Sequence, residues 1–182
     1  MQVLFVCSGN ICRSPMAAAL FERRAAERGA SPSVRSVGLL EAGVAAPPEV
    51  LEVMDGYGLD LRGHRSVVLD STLVTGADLV VGMSLRHVQQ AALADPDAWP
   101  RIFRLKELVR RGTWIGPRLP GQDAPSWLHA AHGDRTRAAL VNLSPEDDVV
   151  DPYGGPLEGY VTVAEELDGL TTALAELLWP TP

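Results

Sequence analysis

The stretch Val6-Cys7-Ser8-Gly9-Asn10-Ile11-Cys12-Arg13-Ser14-Pro15 constrains the fold of this 182-residue chain more than any other. A short apolar run, Val3-Leu4-Phe5-Val6, precedes it, and good helix formers from Met16 to Arg24 follow. The pattern predicts a buried strand, a tight loop and a helix. Pro15 falls in the first helical turn, where a missing N–H costs nothing. A loop that hands a strand to a helix N-terminus aims several unpaired backbone N–H groups at one point, and the helix dipole adds to the pull on an anion. Here the loop opens with a cysteine and closes with an arginine. It has the make-up of a phosphate cradle with a nucleophile at its floor.

A cysteine thiol is mostly protonated near neutrality, but a helix N-terminus and a nearby cation lower its pKa to roughly 3.5–7.5. Cys7 is therefore the expected nucleophile, attacking phosphorus to form a phosphocysteine. Arg13 offers a planar fork of donors for two phosphoryl oxygens, and the backbone from Ser8 through Gly9, Asn10, Ile11 and Cys12 to Arg13 is expected to cradle the rest. Gly9 is expected to turn with positive φ, and Asn10 tolerates the left-handed region. Ser14 can donate its hydroxyl to the thiolate. The scheme needs neither metal nor cofactor. The plain alternative is a buried structural cysteine ending a strand. The glycine, asparagine and serine-proline at fixed offsets weigh against it.

The segment Cys7 to Pro15 resembles the signature loop of the low-molecular-weight protein tyrosine phosphatases, a family that also contains arsenate reductases and protein-arginine phosphatases. The resemblance implies one domain over residues 1–182, a flavodoxin-like three-layer α/β/α fold with a four-stranded parallel sheet. The rest of the chain reads compatibly. Strands are expected at Ser33–Gly38, Ala77–Met83 and Arg101–Leu105, and helices at Pro48–Asp55, at Leu85–Ala94 with Ser84 as cap, and at Leu157–Leu178. Strands alternating with helices imply a parallel sheet covered on both faces, with ligands at the carboxyl end of the first strand. Ser36-Val37-Gly38-Leu39 is similar to the family's Ser-Ala-Gly-Thr turn, with a valine for the alanine. In the family a histidine supports the phosphate loop through its asparagine; His64 and Asn10 would be that pair here.

The second informative stretch is Val149-Val150-Asp151-Pro152-Tyr153-Gly154-Gly155. A leaving oxygen needs a proton as its bond to phosphorus breaks. A loop carboxylate over the phosphate can supply that proton and then activate water. The family carries its general acid in an Asp-Pro-Tyr or Asp-Pro-Phe loop, which implies that role for Asp151, with Tyr153 as an aromatic wall. An ordinary Asp-Pro turn is the alternative, and Asp95-Pro96 is another such pair. The place of Asp151 just before the last helix favours the functional reading. Some relatives have a second tyrosine, a phosphorylation site in them; Gly154 stands there in this chain.

Residues from about 106 to 147 depart most from the family and read as an insertion. Gly112 to Gly121 looks like loop, Ser126 to His132 like a short helix, and Trp114 and Trp127 are expected to pack the segment onto the domain. His129 and His132 could share a helix face, but no third metal ligand stands at a persuasive spacing.

Composition narrows the rest. The net charge of −7 argues against nucleic acid and anionic membranes as partners. No stretch is apolar enough to span a bilayer, and the N-terminus has no basic leader segment. Both cysteines lie in the loop, which fits a reducing cytoplasm. Nearly all of the 16 basic residues are arginine, a usage that fits a GC-rich bacterial genome. Cys12 either packs at the loop or forms a transient disulfide with Cys7 on oxidation; the resemblance favours the second.

The expected activity is hydrolysis of phosphotyrosine in a protein substrate, by a monomer. Arsenate reductases coupled to thioredoxin need further cysteines, and none follows Cys12. The resemblance also implies a threonine at position 11 in phosphoarginine phosphatases, whereas Ile11 offers an apolar lip to an aryl ring. A non-catalytic phosphate-binding module would require neither Cys7 nor Asp151.

Overall fold

The computed structural model describes residues 1–141 and 145–180; residues 142–144, within the expected insertion, and 181–182 lie outside the described residues. Four parallel strands form one sheet in the order β2-β1-β3-β4: β1 (Gln2–Cys7), β2 (Ser33–Gly38), β3 (Leu79–Gly82) and β4 (Ile102–Arg104). Strand alternation sends Val3 and Phe5, with Leu79, Val81 and Phe103, to one face. There they meet α1 (Arg13–Glu27), α5 (Leu105–Ile115), α6 (Ala124–His132) and α7 (Leu157–Leu178). Leu4, Val6, Val80 and Ile102 face the other way, onto α3 (Ser71–Thr75) and α4 (Leu85–Ala94). A further helix, α2 (Pro48–Gly56), packs against α7. This is the three-layer flavodoxin-like arrangement. Both sheet faces are covered, which is why the central strands β1 and β3 read as apolar runs, while β2, at the sheet edge, alternates.

The strand order reverses between β1 and β3. The chain leaves β1 toward β2 on one side and later builds β4 on the other, so the loops after β1 and β3 flank one crevice at their carboxyl ends. The phosphate-cradle sequence is the loop after β1.

The structure corrects several expectations. The fourth strand begins at Ile102, because Pro96–Arg101 winds into a 3₁₀ turn, and Leu105 already starts α5. Gly112 to Ile115 is helical, not loop. A side chain on Gly112 would collide with the Trp127 ring at 2.9 Å and with Leu177 at 2.8 Å, so this glycine marks close helix packing. Trp127 is buried and its indole N–H donates to the Gly116 carbonyl at 2.9 Å. Trp114 points outward with 87% of its surface exposed, so only one of the two tryptophans packs the segment down. The helix expected from Ser126 begins two residues earlier, at Ala124, capped by Asp123, whose carboxylate accepts from the Ser126 N–H. His132 sets its ring edge against Trp99 and its Nδ1 3.3 Å from Arg135.

Candidate active site

The loop after β1 folds around Asn10. Among the described residues Asn10 is the one non-glycine at positive φ, 52°, while Gly9 has no positive φ. Of the two residues the sequence offers for a left-handed step, Asn10 takes it and Gly9 does not, so the step falls where a side chain can secure it. Asn10 Nδ2 donates to Ser14 Oγ at 2.9 Å and Ser36 Oγ at 2.8 Å, and its Oδ1 accepts from the Val67 N–H at 2.9 Å. His64 Nε2 lies 2.6 Å from the Asn10 carbonyl oxygen, so His64 reaches the loop through the main chain of the asparagine. Gly38, at the end of β2, presses on the same turn. A Cβ there would lie 2.8 Å from Asn10 N and Ser8 O.

Two donors converge on Cys7 Sγ, the Asn10 amide at 3.2 Å and the Ser14 hydroxyl at 3.0 Å. Ser14 Oγ accepts from Asn10, so its own hydrogen is the one it donates, to the sulfur at 3.0 Å with the Val37 carbonyl at 3.3 Å as the longer alternative. Both contacts strengthen when the sulfur carries negative charge. Arg13, the first residue of α1, is buried, donates from Nη1 to the Val149 carbonyl at 3.1 Å, and pairs through Nη2 with the Asp151 carboxylate. Its Nε is fully buried and has no hydrogen-bond partner. Cys7, Arg13 and Asp151, the last 138 residues beyond Arg13, therefore line one cleft. Val149 is tied to the crevice by its N–H, which donates to the Met83 carbonyl at 2.8 Å. Cys12 is buried under the loop, and burial above all, with the nearby Cys7 and Asp151, pushes its thiol up to about 12.

Solved structures resemble this fold, and curated proteins align with this sequence. The family model "Low molecular weight phosphotyrosine protein phosphatase" matches residues 2–114, well over half of the sequence. The chain belongs to the low molecular weight phosphotyrosine protein phosphatases. A protein-arginine-phosphatase of Bacillus subtilis is 32% identical over 179 residues, which cover 98% of this chain and 97% of that one. A low molecular weight protein tyrosine phosphatase of T. tengcongensis is 35% identical with a TM-score of 0.72, covering 98% and 99% of the two chains. The YwlE arginine phosphatase, solved as a mutant whose active-site cysteine is a phosphorylated serine, is 30% identical at a TM-score of 0.74, covering 97% and 94%.

In this member of the low molecular weight phosphatases the cleft above the loop has a volume of about 650 Å³. Cys7, Ser8, Gly9, Ile11, Cys12 and Arg13 form its floor, and Leu40, Glu41, Val44, Asp151 and Tyr153 its walls. Tyr153 is 65% exposed and free to meet a ligand ring. The Gly154 N–H donates to the Tyr160 hydroxyl at 3.2 Å, anchoring the Asp-Pro-Tyr loop to α7. Residues 39–44 were not singled out in the sequence because the wall depends on a long-range contact. Buried Ser66 holds it there, donating to the Glu41 carbonyl at 2.7 Å and accepting from the Val44 N–H at 2.9 Å. Ser84 and His87, at the mouth of α4, were also missed as site residues. Ser84 stands at the cap position, but the Leu85 N–H goes to Asp148 Oδ1 at 2.9 Å, and Ser84 Oγ instead meets His87.

Proposed function

We propose that this protein hydrolyses phosphotyrosine in protein substrates through a phosphocysteine intermediate. The convergence of Cys7, Arg13 and Asp151 on one cleft supports this reading most directly. In the first step Cys7 Sγ attacks phosphorus in line, the phosphorus–oxygen bond to tyrosine breaks, and Asp151 delivers its proton to the leaving oxygen. In the second, water attacks the phosphocysteine, Asp151 takes its proton, the phosphorus–sulfur bond breaks and phosphate departs. Arg13 and the backbone N–H groups from Ser8 to Arg13 hold the phosphoryl oxygens throughout, with the free Arg13 Nε–H as one of the donors. Asp151 must let go of Arg13 when a phosphoryl group enters, which frees its carboxyl for the proton transfers. Ser14, with Asn10, orients Cys7; His64 and Ser36 hold Asn10. When a peroxide oxidises Cys7 to a sulfenic acid, with loss of water or alcohol from the peroxide, the Cys12 thiol condenses with it, releasing water, and the resulting disulfide guards the nucleophile until a thiol reduces it.

Ile11, half-buried on the cleft floor, and exposed Leu40 and Tyr153 present apolar surface to an aryl ring. Hydrolysis of phosphoarginine is the second reading, favoured by the B. subtilis arginine phosphatase, which aligns with nearly the whole chain. The enzyme acts as a cytoplasmic monomer without cofactor. Residues of about 106–147 are an insertion on the family domain; the family match ends at residue 114, and the described part of the segment builds α5 and α6 against the core. Metal-free turnover of a phosphotyrosine peptide and a phosphoarginine peptide, measured side by side, tests the substrate assignment. A phosphotyrosine preference that weakens in Ile11→Thr is the expected result. A phosphoarginine preference in the wild-type protein contradicts it.

A further inference from the structure

Ser8 lines the cleft, and its hydroxyl is engaged by a residue of another element. His87, in the first turn of α4, is only 1% exposed. Its Nε2 lies 3.1 Å from Ser8 Oγ and its Nδ1 lies 2.9 Å from Ser84 Oγ, so the ring cannot turn without giving up both contacts. Arg13 Nη2 also approaches Ser8 Oγ, at 3.5 Å. The placement follows from the fold, since α4 starts just after β3, the strand beside β1 at the crevice. With Asp148 taking the Leu85 N–H, Ser84 is left free to serve the imidazole.

A neutral imidazole has one donor nitrogen and one acceptor. Burial first, then the charges of Arg13 and Arg86, push His87 down to about 3, so the ring is neutral at physiological pH. Two tautomers are available. With the proton on Nδ1, Nε2 accepts the Ser8 hydroxyl hydrogen, and Ser8 shows the cleft a lone pair. With the proton on Nε2, the ring donates to Ser8 Oγ and accepts from Ser84. The lone pairs of Ser8 are then engaged by imidazole and guanidinium, and its hydroxyl hydrogen is left for the cleft. A phosphoryl dianion repels the first arrangement and accepts a hydrogen bond from the second.

We propose that His87 is a positioning residue that, as the Nε2–H tautomer, turns the Ser8 hydroxyl into the cleft as a donor to the phosphoryl group. The proposal rests on the cleft being the phosphoryl site, and it is independent of which phosphoamino acid is the substrate. The bland alternative is a buried histidine that packs α4 and happens to satisfy two hydroxyls.

The ¹⁵N shifts of His87 in wild-type protein, with inorganic phosphate bound, separate the two. The expected result is a neutral Nε2–H ring from pH 5 to 8; an Nδ1–H ring or an imidazolium overturns the proposal. Calorimetric binding of inorganic phosphate supplies the energetic arm and needs no turnover. Ser8→Ala and His87→Leu should each weaken binding roughly tenfold. The double variant should bind no worse than Ser8→Ala alone. His87→Gln, whose amide nitrogen reaches the Nε2 position, should restore most of the affinity. Additive losses, or unchanged binding in His87→Leu, overturn the proposal. Phosphate binding and tautomer as expected, with hydrolysis of neither phosphopeptide, would contradict the function above and leave this inference standing. Absence of phosphate binding by the wild-type protein would overturn both.

Discussion

A methyl group at Gly38 would lie 2.8 Å from the Asn10 nitrogen and the Ser8 carbonyl oxygen, backbone atoms that cannot yield without moving the loop. Gly38→Ala should therefore lower kcat/KM at least tenfold and cost on the order of 1–3 kcal/mol of stability, read by steady-state kinetics and urea melts. Unchanged kinetics would mean that the loop tolerates the push. The two cysteines should separate chemically. Cys12 stays a thiol below about pH 12, so iodoacetamide at pH 7 to 9 should modify Cys7 and spare Cys12, as peptide mass spectrometry would show. His87 sets a pH dependence of its own. Its folded pKa is depressed to about 3, while an unfolded histidine titrates near 6.5. Stability from this group is whole above pH 6.5 and is lost as pH falls toward 3, because the unfolded chain takes a proton that the fold refuses. The loss is a few kcal/mol at about 1.4 kcal/mol per pH unit. Denaturant midpoints from pH 7 to 4 should fall more steeply for wild type than for His87→Gln, and parallel curves would contradict this. At this scale Cys7, Arg13, Asn10, Ser14 and Asp151 were legible because each has a short list of chemical reasons for its place. His87 and Ser66 were not, since a lone polar residue declares its role only when the fold supplies its partners.

The elements carry a different lesson. Helix and strand periods located β1, α1, β2, α4 and α7, whose apolar faces are regular. They misread the end of α5, where Gly112 and Trp114 look like loop signals. The glycine is there because α5 meets Trp127 and Leu177 at close range, a contact no local pattern encodes. Arg135 shows how the segment after α6 is held. Its guanidinium lies 4.1 Å from the Trp99 ring centre and 4.2 Å from that of Phe103, donates to the Ile102 carbonyl at 2.8 Å, and pairs with Glu107 at 2.8 Å. Arg135→Ala would take the ion-pair partner from the largely buried Glu107 carboxylate, leaving it the Arg104 N–H at 3.3 Å, and would remove the cation from the two rings. It should cost about 3–5 kcal/mol, measured by chemical denaturation. Activity per folded molecule should stay at the wild-type level, because none of these contacts reaches the cleft. Trp114→Ala, at an exposed site, should change stability by no more than about 0.5 kcal/mol.

The whole molecule is organised by the reversal of strand order between β1 and β3. That reversal opens the crevice, puts the Cys7–Arg13 loop at one strand end and Met83-Ser84 at the next, and lets the segment before α7 bring Asp151 to Arg13. Alternation of strands and helices was enough to expect such a crevice, and two motifs about 140 residues apart named its opposite sides. What the chain order could not show is the depth of the pairing, with Arg13 gripping both the Val149 carbonyl and the Asp151 carboxylate. In the proposed reaction the phosphoryl group passes through a covalent bond to Cys7. Rapid acid quench of the Asp151→Asn variant during turnover of an aryl phosphate, followed by peptide mass spectrometry, tests it most directly. A phosphoryl group on the Cys7 peptide, accumulating because the second step lacks its base and absent from Cys7→Ala, is the predicted result. Phosphate release by wild type with no phosphoryl group ever trapped on Cys7, or turnover that survives in Cys7→Ala, would contradict the account.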